Sequence, residues 1–174
     1  MSDQGKARWE CGVCAEPHEG LAKVFGAHAP APWLHATPAE REDGELNADV
    51  CVLNIDGEWQ YFLRGHIEIP ITDAPGDQFA WSAWVSLSEA SMQLTVDHWD
   101  DPERANLAPM FGWLCNELPY GKSTLSIPTH VHQREPGMTP LIQLDPSVPH
   151  SLVTEQATGI GMHRLAEINR AVLG

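Results

Sequence analysis

Apolar and polar residues alternate along two short runs within residues 49–70, and the dipeptide Asp56-Gly57 separates the runs. Asp-Gly strongly favours a two-residue type I′ turn, so the two runs are predicted to form an antiparallel hairpin. With these two residues in the loop, the register pairs Ile55 with Glu58, Cys51 with Phe62, and Asp49 with Arg64. We therefore expect this hairpin to be the central element of the fold.

The alternation also assigns the hairpin side chains to two faces. One face combines polar and apolar side chains, namely Cys51, Phe62, Arg64 and His66. The other face is largely apolar and is predicted to be the core, with Val50, Val52, Trp59, Tyr61, Leu63 and Ile67. The facing pair Asp49 and Arg64 is interpreted as a structural ion pair that fixes the hairpin.

Further strands are predicted where β-branched and aromatic residues lie between turn signals, at residues 79–87, 124–133 and 141–144. Residues 110–118 are apolar but too short to distinguish a helix from a strand. Strands with short connections predict an antiparallel sheet built on the central hairpin, with helices packed against it. The predicted fold class is therefore α+β.

Helices are predicted after two capping boxes, one from Thr37 to Glu40 and one from Ser86 to Glu89. The second helix carries Met92, Val96 and Trp99 on one stripe. Two more helices are expected at residues 150–156 and 162–173, the latter with Leu165, Ile168 and Val172 on one side. The four prolines of residues 27–38 favour an extended, loop-like path instead.

The length and charge of the chain limit its domain organisation and its partners. A chain of 174 residues can bury about 70% of its unfolded surface, so residues 1–174 are predicted to form a single domain, with residues 1–8 frayed. Twenty-four acidic and ten basic side chains give a net charge of −14, which disfavours nucleic acid and anionic membranes and favours a basic protein partner. Without a signal peptide or a long apolar run, a cytoplasmic location is expected.

Cysteine spacing gives the strongest local signal for chemistry. Cys11-x-x-Cys14 has Gly12 between the sulfurs and His18 shortly after them, so residues 9–20 are predicted to form a knuckle that binds structural zinc. A fourth ligand would come from His28, His35, Cys51 or His66. In the predicted register Cys51 and His66 lie about 13 Å apart along the strand, so both cannot bind one ion. The alternatives for Cys11 and Cys14 are a fortuitous reduced pair that binds no metal and a thiol redox switch.

A second candidate metal site consists of His130 and His132, which share a strand face, together with His150. These residues define an alternative function, a metal-dependent enzyme that uses strand histidines. The chain contains no Gly-x-Ser-x-Gly motif and no glycine-rich dinucleotide loop. No catalytic or cofactor-binding residue is therefore assigned, and a non-enzymatic function is the leading hypothesis.

Several motifs, in order along most of the chain, resemble the bacterial family catalogued as domain of unknown function 2199. They include Trp9-x-Cys-x-x-Cys14, Phe62-Leu-Arg-Gly65, Trp84-Val-Ser-Leu-Ser-Glu89, Phe111-Gly-Trp-Leu114 and His150-Ser-Leu-Val-Thr-Glu-Gln156. Ala15 and Ser82 stand where this family usually has glycine. The resemblance implies a bacterial cytosolic single-domain protein and provides no established catalytic residues.

These observations together predict an acidic, cytosolic, non-enzymatic domain that binds another protein and carries a structural zinc knuckle at Cys11, Cys14 and His18. The charge would suit an immunity-type role against a basic toxin.

Overall fold

The computed structural model describes residues 8–10 and 17–174, and the side chains from residue 20 onward. Its fold is mixed α+β. The strands are β1 (Arg8–Glu10), β2 (Pro17–Glu19), β3 (Val24–Gly26), β4 (Glu45–Leu46), β5 (Val50–Ile55), β6 (Glu58–Pro70), β7 (Gln78–Leu87), β8 (Met110–Leu114), β9 (Pro128–His132) and β10 (Leu141–Leu144). The helices are α1 (Ala31–His35), α2 (Pro38–Glu42), α3 (Glu89–Asp97), α4 (Ser151–Thr158) and α5 (Met162–Leu173), with a short 3-10 helix at Arg104–Asn106.

Strands β6 to β10 close into a five-stranded barrel. Each strand pairs antiparallel with the next, from β6 through β7, β8 and β9 to β10. The barrel closes where β10 returns to β6 in parallel, with Leu141 beside His66. A second parallel pairing adds β3 to the edge of β7. The α+β class is confirmed, and the sheet is mixed rather than antiparallel throughout, because these two pairings are parallel.

The hairpin around Asp56-Gly57 has the predicted register, with Ile55 opposite Glu58 and Cys51 opposite Phe62. It is nevertheless not the centre of the fold, because β5 lies outside the closed barrel. Strand β6 is longer than β5 and pairs with β7 along residues 61–70, so β6 and β7 form the longest pair of the barrel. Strand β5 pairs with residues 58–63 of β6, and β10 pairs with the same edge of β6 farther along, at His66.

Buried side chains from all five barrel strands form the main core, together with side chains of α3, α4 and α5. Leu63 and Ile67 of the predicted core face belong to this core. The opposite face is also buried near β5, where Cys51, Leu53, Phe62 and Trp84 form a second cluster. Trp59 does not belong to the core as predicted, because it lies near the hairpin tip and is 49% exposed.

Local capping signals were correct at one helix and displaced at another. Thr37 caps α2 with the complete predicted capping box. Helix α3 is capped by Ser88 rather than by Ser86, because β7 continues through Leu87. On α3, Met92 and Thr95 are buried while Val96 of the predicted stripe is 54% exposed.

The proline-rich residues 27–38 contain a short helix, α1, which contradicts the prediction of an extended path. Its prolines lie at the N-cap and in the first turn, where a missing backbone N–H costs no intrahelical hydrogen bond. The predicted strand at 124–133 is shorter than expected and covers Pro128–His132. The predicted elements at Leu141–Leu144 and Met162–Leu173 are confirmed. None of the helices in the described residues has the length and hydropathy needed to cross a membrane.

Candidate functional site

The predicted zinc ligands Cys11 and Cys14 lie outside the described residues, between β1 and β2 in the sequence. The backbone of His18 pairs opposite Trp9 in this two-stranded sheet, and its side chain is not described. In the part of the chain that is described, no three His, Cys, Asp or Glu side chains are grouped closely enough to hold a metal ion. Zinc at Cys11, Cys14 and His18 therefore stays a prediction.

Cys51, one of the proposed fourth ligands, is fully buried in the second cluster against Phe62 and Trp84. Burial raises the pKa of its thiol to about 12, so the uncharged thiol is the form present at neutral pH. Metal binding requires the thiolate. Cys51 thus packs as a small apolar residue.

The three histidines of the alternative metal site do not come together. His130 is exposed on β9 and its ring contacts Phe111, with centroids 5.9 Å apart. His150 is buried and caps α4, because its Nδ1 accepts a hydrogen bond of 3.0 Å from the Leu152 backbone N–H. Its Nε2 lies 3.1 Å from the Lys122 carbonyl oxygen, to which it donates. Both ring nitrogens of His150 are therefore occupied by the fold.

Strand β8 instead presents two large aromatic side chains to solvent. Phe111 is 48% exposed and Trp113 is 46% exposed, while their neighbours Met110, Gly112 and Leu114 are buried. The two rings meet edge to face with centroids 5.1 Å apart. We call Phe111, Trp113 and His130 the aromatic face.

Close strand packing fixes the position of the aromatic face. A side chain at Gly112 would place its Cβ 2.3 Å from the Ser86 carbonyl oxygen and 2.3 Å from Val85 Cγ1. Glycine therefore allows β8 to approach β7 closely, and the alternation then turns Phe111 and Trp113 outward. The segment containing them could not be assigned from the sequence. Large aromatic residues on either side of a small residue were the signal that could have identified it.

Two surface cavities border the aromatic face, with volumes of about 390 and 370 Å³. Trp113 and Ser86 line both cavities, Cys115 lines the first and Phe111 lines the second. Among the described residues, those that line these two cavities carry no charged side chain. An uncharged aromatic surface on so acidic a chain has the composition of the core of a protein interface.

A polar cluster around Tyr120 attaches the C-terminal helices α4 and α5 to the barrel. The Trp81 indole Nε1–H donates to the Tyr120 hydroxyl at 3.0 Å, and that hydroxyl donates to Glu155 at 2.5 Å. Arg164 donates to the other Glu155 oxygen at 2.7 Å. Burial and the neighbouring Glu155 raise the pKa of Tyr120, so its hydroxyl remains protonated. The cluster connects β7, α4 and α5, and we interpret it as structural.

A sequence profile of uncharacterized proteins conserved in bacteria, the family DUF2199, matches residues 10–160. Neither the curated proteins nor the solved structures contain a match.

Proposed function

The chain belongs to DUF2199, a family of uncharacterized proteins conserved in bacteria, and we propose that it is a non-enzymatic domain that binds a basic protein through the aromatic face. The observation that carries the proposal is the exposure of Phe111 and Trp113 side by side on β8. Exposed aromatic side chains beside uncharged depressions are typical anchors of protein interfaces.

Charge supports the choice of partner. The net charge of −14 would attract a basic protein from a distance and would accelerate encounter at low salt. The aromatic face itself would supply short-range contacts that depend little on salt. This division of roles predicts that salt slows association more than it accelerates dissociation.

The N-terminal motif and the cellular role belong to the same proposal. Cys11, Cys14 and His18 would hold a structural zinc ion, and the protein would act in the cytoplasm in an immunity-type role against a basic toxin. Elemental analysis tests the zinc assignment, because zinc should be lost in Cys11→Ser. Metal retained in that variant would refute the assignment, and a metal-free thiol pair that changes with mild oxidation would favour the redox alternative.

Capture from bacterial lysate at low and moderate salt tests the interaction, using tagged wild type and the double variant Phe111→Ser/Trp113→Ser. We expect a basic protein to be captured by the wild type, less of it at higher salt, and little by the double variant. Trp59→Ser is the matched control, because Trp59 is similarly exposed at 49%, lies near the hairpin tip and lines neither of the two cavities that border the aromatic face.

The control variant should capture the same protein as the wild type. Equal capture by the double variant would refute the role of the aromatic face. The absence of a salt-sensitive basic partner would refute the proposed function.

A further inference from the structure

We propose that a cavity beside Arg64 and Arg104 binds the carboxylate of a small organic acid with a short apolar tail. The cavity has a volume of about 240 Å³ and is lined by Asp49, Arg64, Trp99, Arg104, Gly137, Met138 and Thr139. This volume is below the range of about 300–1,000 Å³ typical of drug-sized ligand pockets. It would therefore accommodate a head group rather than a whole nucleotide or cofactor.

Arg104 supplies a buried positive charge to this cavity. It is 1% exposed, and its guanidinium donates to the backbone carbonyls of Trp99, Arg134, Glu135 and Met138 at 2.7 to 3.0 Å. Within residues 20–174 it forms no ion pair with a carboxylate. Carbonyl dipoles satisfy its N–H groups but do not cancel its charge, so the positive potential in the cavity persists.

Arg64 supplies a second charge to the same cavity. It donates to Ser82 Oγ at 2.9 Å, and its Nη2 lies 3.4 Å from Asp49 Oδ1. Charge-assisted hydrogen bonds of this kind are usually about 2.7–2.9 Å long, so the Arg64–Asp49 pair is loose. Two arginines and one aspartate leave a positive balance, and an incoming carboxylate could take the Nη2 position that Asp49 holds weakly.

A neighbouring depression indicates the rest of the ligand. It has a volume of about 390 Å³, shares Asp49 and Trp99 with the first cavity, and is lined by Val50 and Val96. Trp99 lies between the two, and its ring faces the Arg104 guanidinium at 4.7 Å. A carboxylate in the first cavity would thus direct an apolar tail along Trp99 and the two valines.

Titration with hexanoate tests the proposal, followed by calorimetry and by backbone amide chemical shifts. We expect hexanoate to shift the signals of Trp99, Met138 and Thr139, and acetate to bind at least tenfold more weakly because it lacks the tail. Binding of inorganic phosphate without hexanoate would overturn the carboxylate assignment. Titration with hexanoate that leaves these signals unmoved would overturn the site.

Two pairs of variants separate the site from general effects. Arg64→Gln should lower the affinity for hexanoate at least tenfold. Arg41→Gln changes an exposed arginine elsewhere and should leave this affinity unchanged. Val96→Asp places a negative charge beside the apolar depression, so it should lower the affinity for hexanoate. Because Val96 is 54% exposed, the substitution should not unfold the chain. Leu94→Asp is its control, because Leu94 is 46% exposed on the same helix and does not line the depression. Equal hexanoate affinity in Val96→Asp and Leu94→Asp would refute the proposal.

Discussion

The buried guanidinium of Arg104 offers the most direct test of how the loop at residues 134–138 is held against the barrel. Arg104→Met removes a charge that is 1% exposed together with four hydrogen bonds to backbone carbonyls. It also removes the contact of the guanidinium with the Trp99 ring at 4.7 Å. Methionine fills the volume of the arginine stem but lacks the guanidinium, so the main loss is that of the charge and its hydrogen bonds.

The expected magnitude follows from opposing terms. Hydrogen bonds to a charged group contribute about 1.5–3 kcal/mol each, and a partly desolvated cation–π contact about 1 kcal/mol. Removing the buried charge also recovers several kcal/mol of desolvation free energy, on the order of half of what these contacts contribute together. We therefore expect the free energy of unfolding to fall by about 4–6 kcal/mol, which corresponds to a decrease in Tm of roughly 8–24 °C for a chain of this size.

Urea denaturation followed by circular dichroism measures this change, with Arg41→Met as the matched control. Arg41 also donates to two backbone carbonyls and faces an indole, that of Trp33, but it is exposed. Its loss should cost less than about 1 kcal/mol. If Arg104→Met is as stable as Arg41→Met, or more stable than wild type, the buried guanidinium does not stabilise the loop.

Three further predictions concern the barrel and its surroundings. Tyr120→Phe leaves the buried indole N–H of Trp81 without its acceptor and should lower the free energy of unfolding by about 1–3 kcal/mol. Tyr61→Phe is its control, because the Tyr61 hydroxyl has no hydrogen bond among the described residues, and it should change this free energy by less than about 0.5 kcal/mol in the same urea titration. Gly112→Ala forces a Cβ to 2.3 Å from the neighbouring strand and should lower the free energy of unfolding by about 1–3 kcal/mol or more. Gly121→Ala, whose Cβ would meet no atom within 4 Å, should leave it nearly unchanged. Equal melting temperatures for the two variants would contradict the close strand packing. Burial, assisted by two nearby arginines, lowers the pKa of His66, so at low pH the unfolded chain takes up a proton that the folded chain excludes. The free energy of unfolding should therefore fall as the pH drops below about 6.5, and His66→Gln should lose this part of the pH dependence. An unchanged pH profile in His66→Gln would show that His66 does not contribute to it.

Features set by neighbouring residues could be predicted from the sequence. The hairpin register followed from Asp56-Gly57, because a two-residue turn fixes which residues face each other. The capping box at Thr37 joins residues three apart, and Leu165 and Ile168 of the predicted α5 stripe are buried, although Val172 is 42% exposed. Each of these signals is complete within a short segment. Their outcomes therefore did not depend on where the rest of the chain lies.

The candidate site depended on contacts between distant segments. Phe111 and Trp113 became a surface when Gly112 allowed β8 to pack against β7, and nothing within residues 110–118 decided between helix and strand. Arg104 lies in a polar, turn-like segment, and its burial follows from carbonyls about thirty residues further along the chain. No local pattern encodes such a partner.

The sequence by itself determined the α+β class, the hairpin register, the acidic charge and the cysteine motif, since composition and short-range geometry suffice for each. Only the tertiary structure decided that β10 returns to β6 beside His66 and closes a barrel, because that single parallel contact depends on the path of all the strands between them. The same closure moved the centre of the fold from the β5–β6 hairpin to β6 and β7. It also determined which side chains face solvent, and therefore where a partner or a ligand could bind.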